Sequence, residues 1–381
     1  MADESQRTVD DLNGRLVETL LADGSIKSPH VEAAFRSVLR HHFLPGTPLE
    51  EVYSARAVVT RRGPDGAPTS SSSDPRIMAR MLEQLDVRPG HRVLEIGAAT
   101  GYNAALLSHL SGDAGAVTTV DIDPILTATA VENLRRAGIH GVEVVTGDGW
   151  AGVPSNAPFD RIEATVGVSD LSPSWIDQLR AGGVLEVPLW LRAGLQASVA
   201  FQNTDDGLRS RSMEPCGFMR LQGLGAGPES YTHLGRWTAH MDHPQATDIA
   251  MLSQLLEQPA HTRDAPALDA GWFTAIALSA PGAVMLSNWE ERVTLSGVFD
   301  PAGGSLAVIE SDSRGPEPRP RALHAYGSTG ALNRLTKLIE ETPAIGLDEV
   351  QIDVVPPGAS SDHTPVLARL IRPNAHFLIK A

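Results

Sequence analysis

The chain has 381 residues, with 46 acidic against 31 basic side chains and a formal net charge of -15, a balance that argues against nucleic-acid binding through phosphate neutralisation. With 42% hydrophobic and 20% charged residues it has the composition of an ordinary globular protein, long enough for two domains. A single cysteine, Cys216, excludes an intrachain disulfide and any multi-cysteine zinc site.

No apolar run approaches the roughly 20 residues needed to cross a bilayer. The N-terminus is acidic and polar, without an export signature. A cytoplasmic setting, no membrane partner and no metal are therefore the expectations. An acidic peptide, if bound, would need a local basic patch or groove.

In chain order, residues 8–42 read as helical. Leu12, Leu16, Leu20 and Leu21 recur at helical spacing, as do Val31, Ala34, Phe35 and Val38. Ser28-Pro29 fits an N-cap with proline in the first turn. Residues 61–73, rich in Gly, Pro and Ser, read as a flexible loop. Helix (77–85), strand (92–97), helix (103–110), strand (116–120), helix (125–137) and strand (142–145) follow. Strand (161–165), helix (174–180) and strand (184–188) complete an alternation that predicts a doubly wound, mostly parallel sheet. Beyond about residue 225 the pattern changes. Apolar clusters at 283–286, 293–298, 306–310 and 349–355, with one helix at 331–341, predict a separate α+β module. Residues 313–321 read as an exposed loop.

The strongest motif is Val93-Leu-Glu-Ile-Gly-Ala-Ala-Thr-Gly101. A buried strand delivers a glycine turn into a helix start, where the backbone can approach a ligand closely. Asp121, 20 residues past Gly101, ends the next strand, where a carboxylate can accept from ribose hydroxyls. A dinucleotide fingerprint would need glycine at 99 and 102, which are Ala99 and Tyr102. Glu95 suits a cationic amino-acid or sulfonium ligand better than a pyrophosphate. Asp148, in the turn Gly147-Asp-Gly149, is placed for an adenine amino group.

This ordered set resembles the S-adenosylmethionine site of class I (Rossmann-like) methyltransferases. The stretch 86–107, with Val145-Thr-Gly-Asp-Gly149, Ala157-Pro-Phe-Asp-Arg161, residues 175–183 and 216–221, and Val38-Leu-Arg-His-His-Phe-Leu-Pro45, is similar to protein-L-isoaspartate O-methyltransferases. The resemblance implies cofactor contacts from Glu95, Gly97, Ala98, Gly101, Asp121, Ile122, Asp148 and Gly149. It also implies that Ser73, in the family's S-x-P motif (Ser73-Asp74-Pro75), touches the acceptor carboxylate, with Ser72, Arg76, Thr165 and Val166 beside the substrate. A carboxylate is already a nucleophile, so alignment rather than a strong base is what catalysis asks of these residues. Ser73 could equally serve as a helix N-cap.

Three departures fall on the acceptor side: the Gly66–Ser73 loop, Arg76 after Pro75, and the segment Thr165-Val-Gly-Val-Ser169. Together with the extra C-terminal module, they resemble the layout of actinobacterial enzymes that methylate an aspartate in cyclised ribosomal precursor peptides (lanthipeptides, graspetides) on the way to succinimide or isoaspartate. The expected partition is 1–75 for N-terminal helices and acceptor loop, 76–225 for the cofactor core, and 226–381 for an appended domain, a candidate for peptide binding. Repair of isoaspartyl proteins is the alternative function, and a peptide-binding scaffold with weakened methyltransferase activity the second. His240 and His243 lack the geometry of a zinc motif. Trp272, Phe273 and Trp289 could line a peptide groove or fill a core. Arg61, Arg62 and Arg76 could hold an acidic peptide, and Cys216 reads as a small buried side chain.

Overall fold

A computed structural model describes residues 2–63, 66, 68–227, 231–242, 244–269, 271–288, 290–312, 319–358 and 366–381. Five strands pair in parallel in the spatial order Val142–Thr146, Ala116–Asp121, Arg92–Ile96, Phe159–Ala164, Leu179–Trp190. The three inner strands are largely buried, as parallel strands covered on both faces are, while the edge strand Val142–Thr146 is only partly covered. The chain winds outward from Arg92–Ile96 in one direction and then returns to its other side with Phe159–Ala164. That reversal opens a crevice at the C-terminal ends of these two strands, where α/β sheets bind ligands.

The helices Ala2–Ala22 and Pro29–Ser37 pack with Pro75–Leu85 and Tyr102–Ser111 into one apolar cluster, in which Leu16, Leu20, Val31 and Phe35 are buried. Pro29 opens its helix after Ser28, as the sequence suggests, but the Ser28 hydroxyl donates to Glu83 Oε1 (2.9 Å) instead of capping. No helix among the described residues is long and apolar enough to cross a membrane.

The loop expected at 61–73 is instead a two-stranded antiparallel hairpin, Val58–Arg62 against Pro68–Ser72. Gly63 and Gly66 lie between the strands, Pro68 opens the second strand opposite Arg62, and Ser70 and Ser72 point inward and are buried.

The C-terminal half also departs from a simple appended module. Residues 231–327 supply a second, antiparallel sheet of seven strands with the helices Ala246–Leu256 and Trp272–Ser279. The last strands, Gln351–Val355, Ala368–Ile371 and His376–Lys380, return to the first sheet through Gly207–Pro215 and extend it to ten strands. The driving force is burial: Ile352, Phe377 and Ile379 are inaccessible to solvent and share one apolar cluster with Val187, Phe201, Ile276 and Leu335.

Candidate active site

The glycine turn is shaped by positions that tolerate no side chain. Gly97 has φ 105°, and a Cβ there would lie 2.6 Å from Thr165 Oγ1. Gly101 has φ 82° and forms the N-cap of the helix Tyr102–Ser111. Asp121 fastens the turn from the neighbouring strand end. Its Oδ2 accepts the Ala99 amide (3.1 Å) and its Oδ1 the Asp123 amide (3.0 Å). Ile122, 41% exposed, presents an apolar side chain beside it. Asp148 accepts the Trp150 amide (2.9 Å) and the Leu224 amide (2.8 Å), which brings the Gly223–Gly225 turn over this end of the crevice. Gly149 packs against Ile96, where a Cβ would meet Cγ2 at 2.6 Å.

This set fits a nucleoside bearing an amino-acid tail. Two carboxylates on successive strand ends suit the ribose hydroxyls and an exocyclic amine, Ile122 offers a face for a purine, and the turn leaves room for backbone approach. The residues that would hold S-adenosylmethionine are therefore Gly97, Ala98, Gly101, Asp121, Ile122, Asp148 and Gly149; when bound, that group supplies an electrophilic methyl on a sulfonium.

On the acceptor side, a cavity of about 30 Å³ is lined by Ser72, Ser73, Gly97, Asn103, Glu163, Thr165 and Phe218, among others. Ser73 and the glycine turn thus face one small space, large enough for a carboxylate oxygen or a water. Helix capping does not occupy Ser73. The N-cap of Pro75–Leu85 is Asp74, whose Oδ1 accepts the Arg76 amide (2.8 Å). Ser72, by contrast, is buried, and its hydroxyl accepts from Arg40 Nη2 (3.3 Å). Thr165 lines the cavity with its hydroxyl already committed to the carbonyls of Ile96 (3.1 Å) and Gly97 (2.9 Å). Val166 lies against Gly97. Arg76 does not reach the cavity. It turns outward to Asp23 (2.8 Å) and lines a separate groove.

Arg40 escaped the sequence reading, which quoted it only within a similar stretch. It is wholly buried, and its guanidinium donates to the carbonyls of Val52 (2.8 Å), Ser54 (3.2 Å), Arg56 (3.2 Å), Ser72 (3.3 Å) and Ser73 (2.9 Å). It therefore sets the position of the serine hairpin relative to the sheet. Tyr102 lies below it, with the guanidinium carbon 5.9 Å from the ring centre.

A second feature is a ladder of three buried glutamates. Glu95, Glu163 and Glu186 sit in register on adjacent parallel strands, none of them accessible to solvent. Asn103 Nδ2 donates to Glu95 Oε1 (2.9 Å) and Glu163 Oε2 (2.7 Å). Thr119 donates to Glu95 Oε2 (2.5 Å) and Ser198 to Glu186 Oε1 (2.8 Å). Both oxygens of Glu95 are thus engaged within the protein, while its side chain still lines the cavity beside the glycine turn. Glu163 Oε1 and Glu186 Oε2 have no hydrogen-bond partner among the described residues. The sequence signal was present: a charged residue in the middle of each apolar strand, Arg161-Ile-Glu-Ala164 and Val184-Leu-Glu-Val187.

Desolvation is the main cause that raises all three carboxyls, with repulsion from Glu163 adding to it at Glu95 and Glu186; the net effect, after the hydrogen bonds from Thr119 and Asn103, puts Glu95 at about 8. A carboxyl raised in the folded state contributes stability that is complete below its unfolded value, about 4.3, and is lost as pH rises through the folded value. Glu186→Gln should therefore raise the Tm relative to wild type at pH 8.5, with the gain shrinking as the pH falls towards 5. Thermal melts at the two pH values test this; an equal effect at both would mean that packing, not charge, governs the site.

His240 is buried and stacked on Trp190, ring centres 5.7 Å apart, with no metal-ligand group of three or more among the described residues. His243 and Trp289, and residues 313–318 of the expected loop, lie outside the described residues. Trp272 and Phe273 pack against the main core. Arg61 pairs with Asp123, and Arg62 donates to the Gly66 carbonyl (2.9 Å), so neither flanks the cavity freely. Cys216 is half-buried, its thiol 3.5 Å from Gln196 Oε1.

Comparison with known proteins agrees with this geometry. Residues 11–224 match the family Protein-L-isoaspartate(D-aspartate) O-methyltransferase (PCMT). A protein-L-isoaspartate O-methyltransferase of Methanopyrus kandleri is 38% identical over 211 residues, 55% of this chain and 90% of that protein. One of Hyperthermus butylicus is 35% identical over 217 residues, 55% of this chain and 88% of that protein. A solved structure named protein-L-isoaspartate O-methyltransferase covers 89% of this chain and 95% of its own, at 25% identity and a TM-score of 0.53. A long two-part layout thus also occurs under that name, and the layout alone does not point to precursor-peptide enzymes. The chain belongs to the protein-L-isoaspartate(D-aspartate) O-methyltransferase family, as an S-adenosylmethionine-dependent protein or peptide (iso)aspartate O-methyltransferase.

Proposed function

We propose that this chain methylates the free carboxylate of an isoaspartyl residue in peptides or proteins. The observation that carries the reading is the shared cavity of Ser73 and the Gly97 turn. A carboxylate placed there can be held through one oxygen by the Ser73 hydroxyl while the other faces the methyl position. The cavity is small and closed in by Met78, Met81 and Phe218, which limits competing water.

A second reading, methylation of an ordinary aspartate in a cyclised ribosomal precursor peptide, is supported by the acceptor-side departures at Gly66–Ser73 and Thr165–Ser169. Mass spectrometry with cofactor and two substrates, an isoaspartyl peptide and a cyclised aspartyl precursor, separates the two. Methylation of many unrelated isoaspartyl peptides supports the first reading; methylation confined to the precursor replaces it with the second. A scaffold role with weakened methyltransferase activity would leave both peptides unmodified. Ser73→Ala should lower turnover about tenfold or more, the loss of one oriented hydrogen bond and its alignment, while calorimetry finds S-adenosylhomocysteine affinity within twofold. Equal losses in both would assign Ser73 a structural role.

A further inference from the structure

Behind the serine turn lies a groove of about 740 Å³, much larger than the reaction cavity and used by nothing so far described. Its floor and first wall come from the helix Ala2–Ala22 and the segment after the short helix Leu49–Val52. Its other wall is the tip of the hairpin joining Ala283–Asn288 to Val293–Asp300 in the second sheet. Four guanidinium groups line it, Arg15, Arg56, Arg76 and Arg292, against the carboxylates Glu50 and Asp74. Arg76 is paired with Asp23 and Asp74, so the positive charge open to a ligand centres on Arg15 and Arg56, in a chain of net charge -15.

Arg15 and Arg56 are exposed and have no carboxylate partner among the described residues. Arg76 is held in place by Asp23 (2.8 Å) and the Ala55 carbonyl (2.5 Å). The turn Ser73-Asp74-Pro75-Arg76 joins the two spaces. Ser73 faces the reaction cavity, while Asp74 and Arg76 face the groove. Three Cα steps span at most about 11 Å, so a peptide with its acceptor at Ser73 reaches the rim of the groove at Arg76 within about three or four extended residues.

We infer that this groove is a docking site for a carboxylate-rich peptide segment flanking the acceptor residue, with the second sheet contributing Arg292 to its wall. The inference rests on the proposed peptide carboxyl methylation and adds the substrate's flanking chemistry to it. Guanidinium groups pair with carboxylates through two parallel hydrogen bonds. Such pairs at an exposed site act mainly on recognition and are weakened by salt. The net charge of the whole chain disfavours a nucleic acid as the occupant, because long-range repulsion opposes a polyanion much longer than the groove.

The test uses the full chain and two sets of otherwise identical peptides, with glutamates or glutamines within four positions of the acceptor, each made with isoaspartate and with aspartate. At low salt the glutamate peptides should show a KM about tenfold lower than the glutamine peptides at similar kcat, the effect of several exposed ion pairs together. That advantage should shrink severalfold at 0.5 M NaCl. Arg15→Gln with Arg56→Gln should reduce the ratio of the two KM values towards one, and Arg292→Gln should reduce it in part. Equal KM values for the two peptides, or a ratio unchanged in the double variant, would overturn the groove while leaving carboxyl methylation intact. If no peptide is methylated, the methylation reading fails instead. Fluorescence anisotropy of the labelled peptides with S-adenosylhomocysteine present then still decides the groove, by the same tenfold preference or its absence.

Discussion

Replacing Arg40 with alanine is expected to destabilise the protein by about 3–5 kcal/mol, the usual consequence of removing a buried, multiply bonded charge. It should also reduce turnover more than Ser73→Ala does. Five backbone carbonyls and the Ser72 hydroxyl converge on this one guanidinium. Without it, the buried acceptors among them, the Val52 and Ser72 carbonyls and the Ser72 hydroxyl, lose their partner, and each unsatisfied buried group costs about 1–3 kcal/mol unless the hairpin moves to hydrate it. Either outcome displaces Ser73 from the glycine turn. Arg40→Lys should not rescue the protein, because one ammonium cannot reproduce the planar fork that spans Val52 and Ser73 together. Urea unfolding and methylation assays on both variants check this. A lysine variant of near wild-type stability and activity would show that the charge, and not the geometry of its donors, orders the loop.

The second large effect is expected at Asp121. Asp121→Ala should weaken S-adenosylhomocysteine binding by 10²-fold or more, about 3 kcal/mol, the order of two hydrogen bonds to a charged acceptor. Two losses combine there. The carboxylate would accept from the ribose hydroxyls of the bound nucleoside, and it holds the Ala99 amide within the turn, at a residue whose φ is 42°. Asp121→Asn keeps an oxygen for one of these bonds and should fall between wild type and alanine. Titration calorimetry decides it. Binding by the alanine variant within threefold of wild type would mean that the nucleoside lies elsewhere.

Much of the cofactor half was legible before any coordinates. The glycine turn, the carboxylates at 121 and 148 and the alternation of elements follow from local rules: positive φ at Gly97 and Gly101, apolar strand runs, and a ligand-facing residue at a strand's end. Ser73 was found through the S-x-P resemblance, and the structure sets it beside that turn. The hairpin at 58–72 was misread as a loop because Gly, Pro and Ser signal a turn without telling how far the flanking residues pair.

Other features exist only after distant segments meet. Glu95, Glu163 and Glu186 form a ladder because the parallel register brings residues from three separate strands to one level, and no spacing along the chain encodes that register. Arg40 finds its carbonyls between residues 52 and 73 through packing of the N-terminal helices. The final strands rejoin the first sheet by pairing with its edge at Gly207–Pro215 and burying Ile352, Phe377 and Ile379 in its apolar cluster. Residue chemistry and backbone freedom determined what kind of ligand this chain is built to hold. Tertiary pairing decided which side chains stand around it, since burial and register are properties of contacts between segments and not of any one segment.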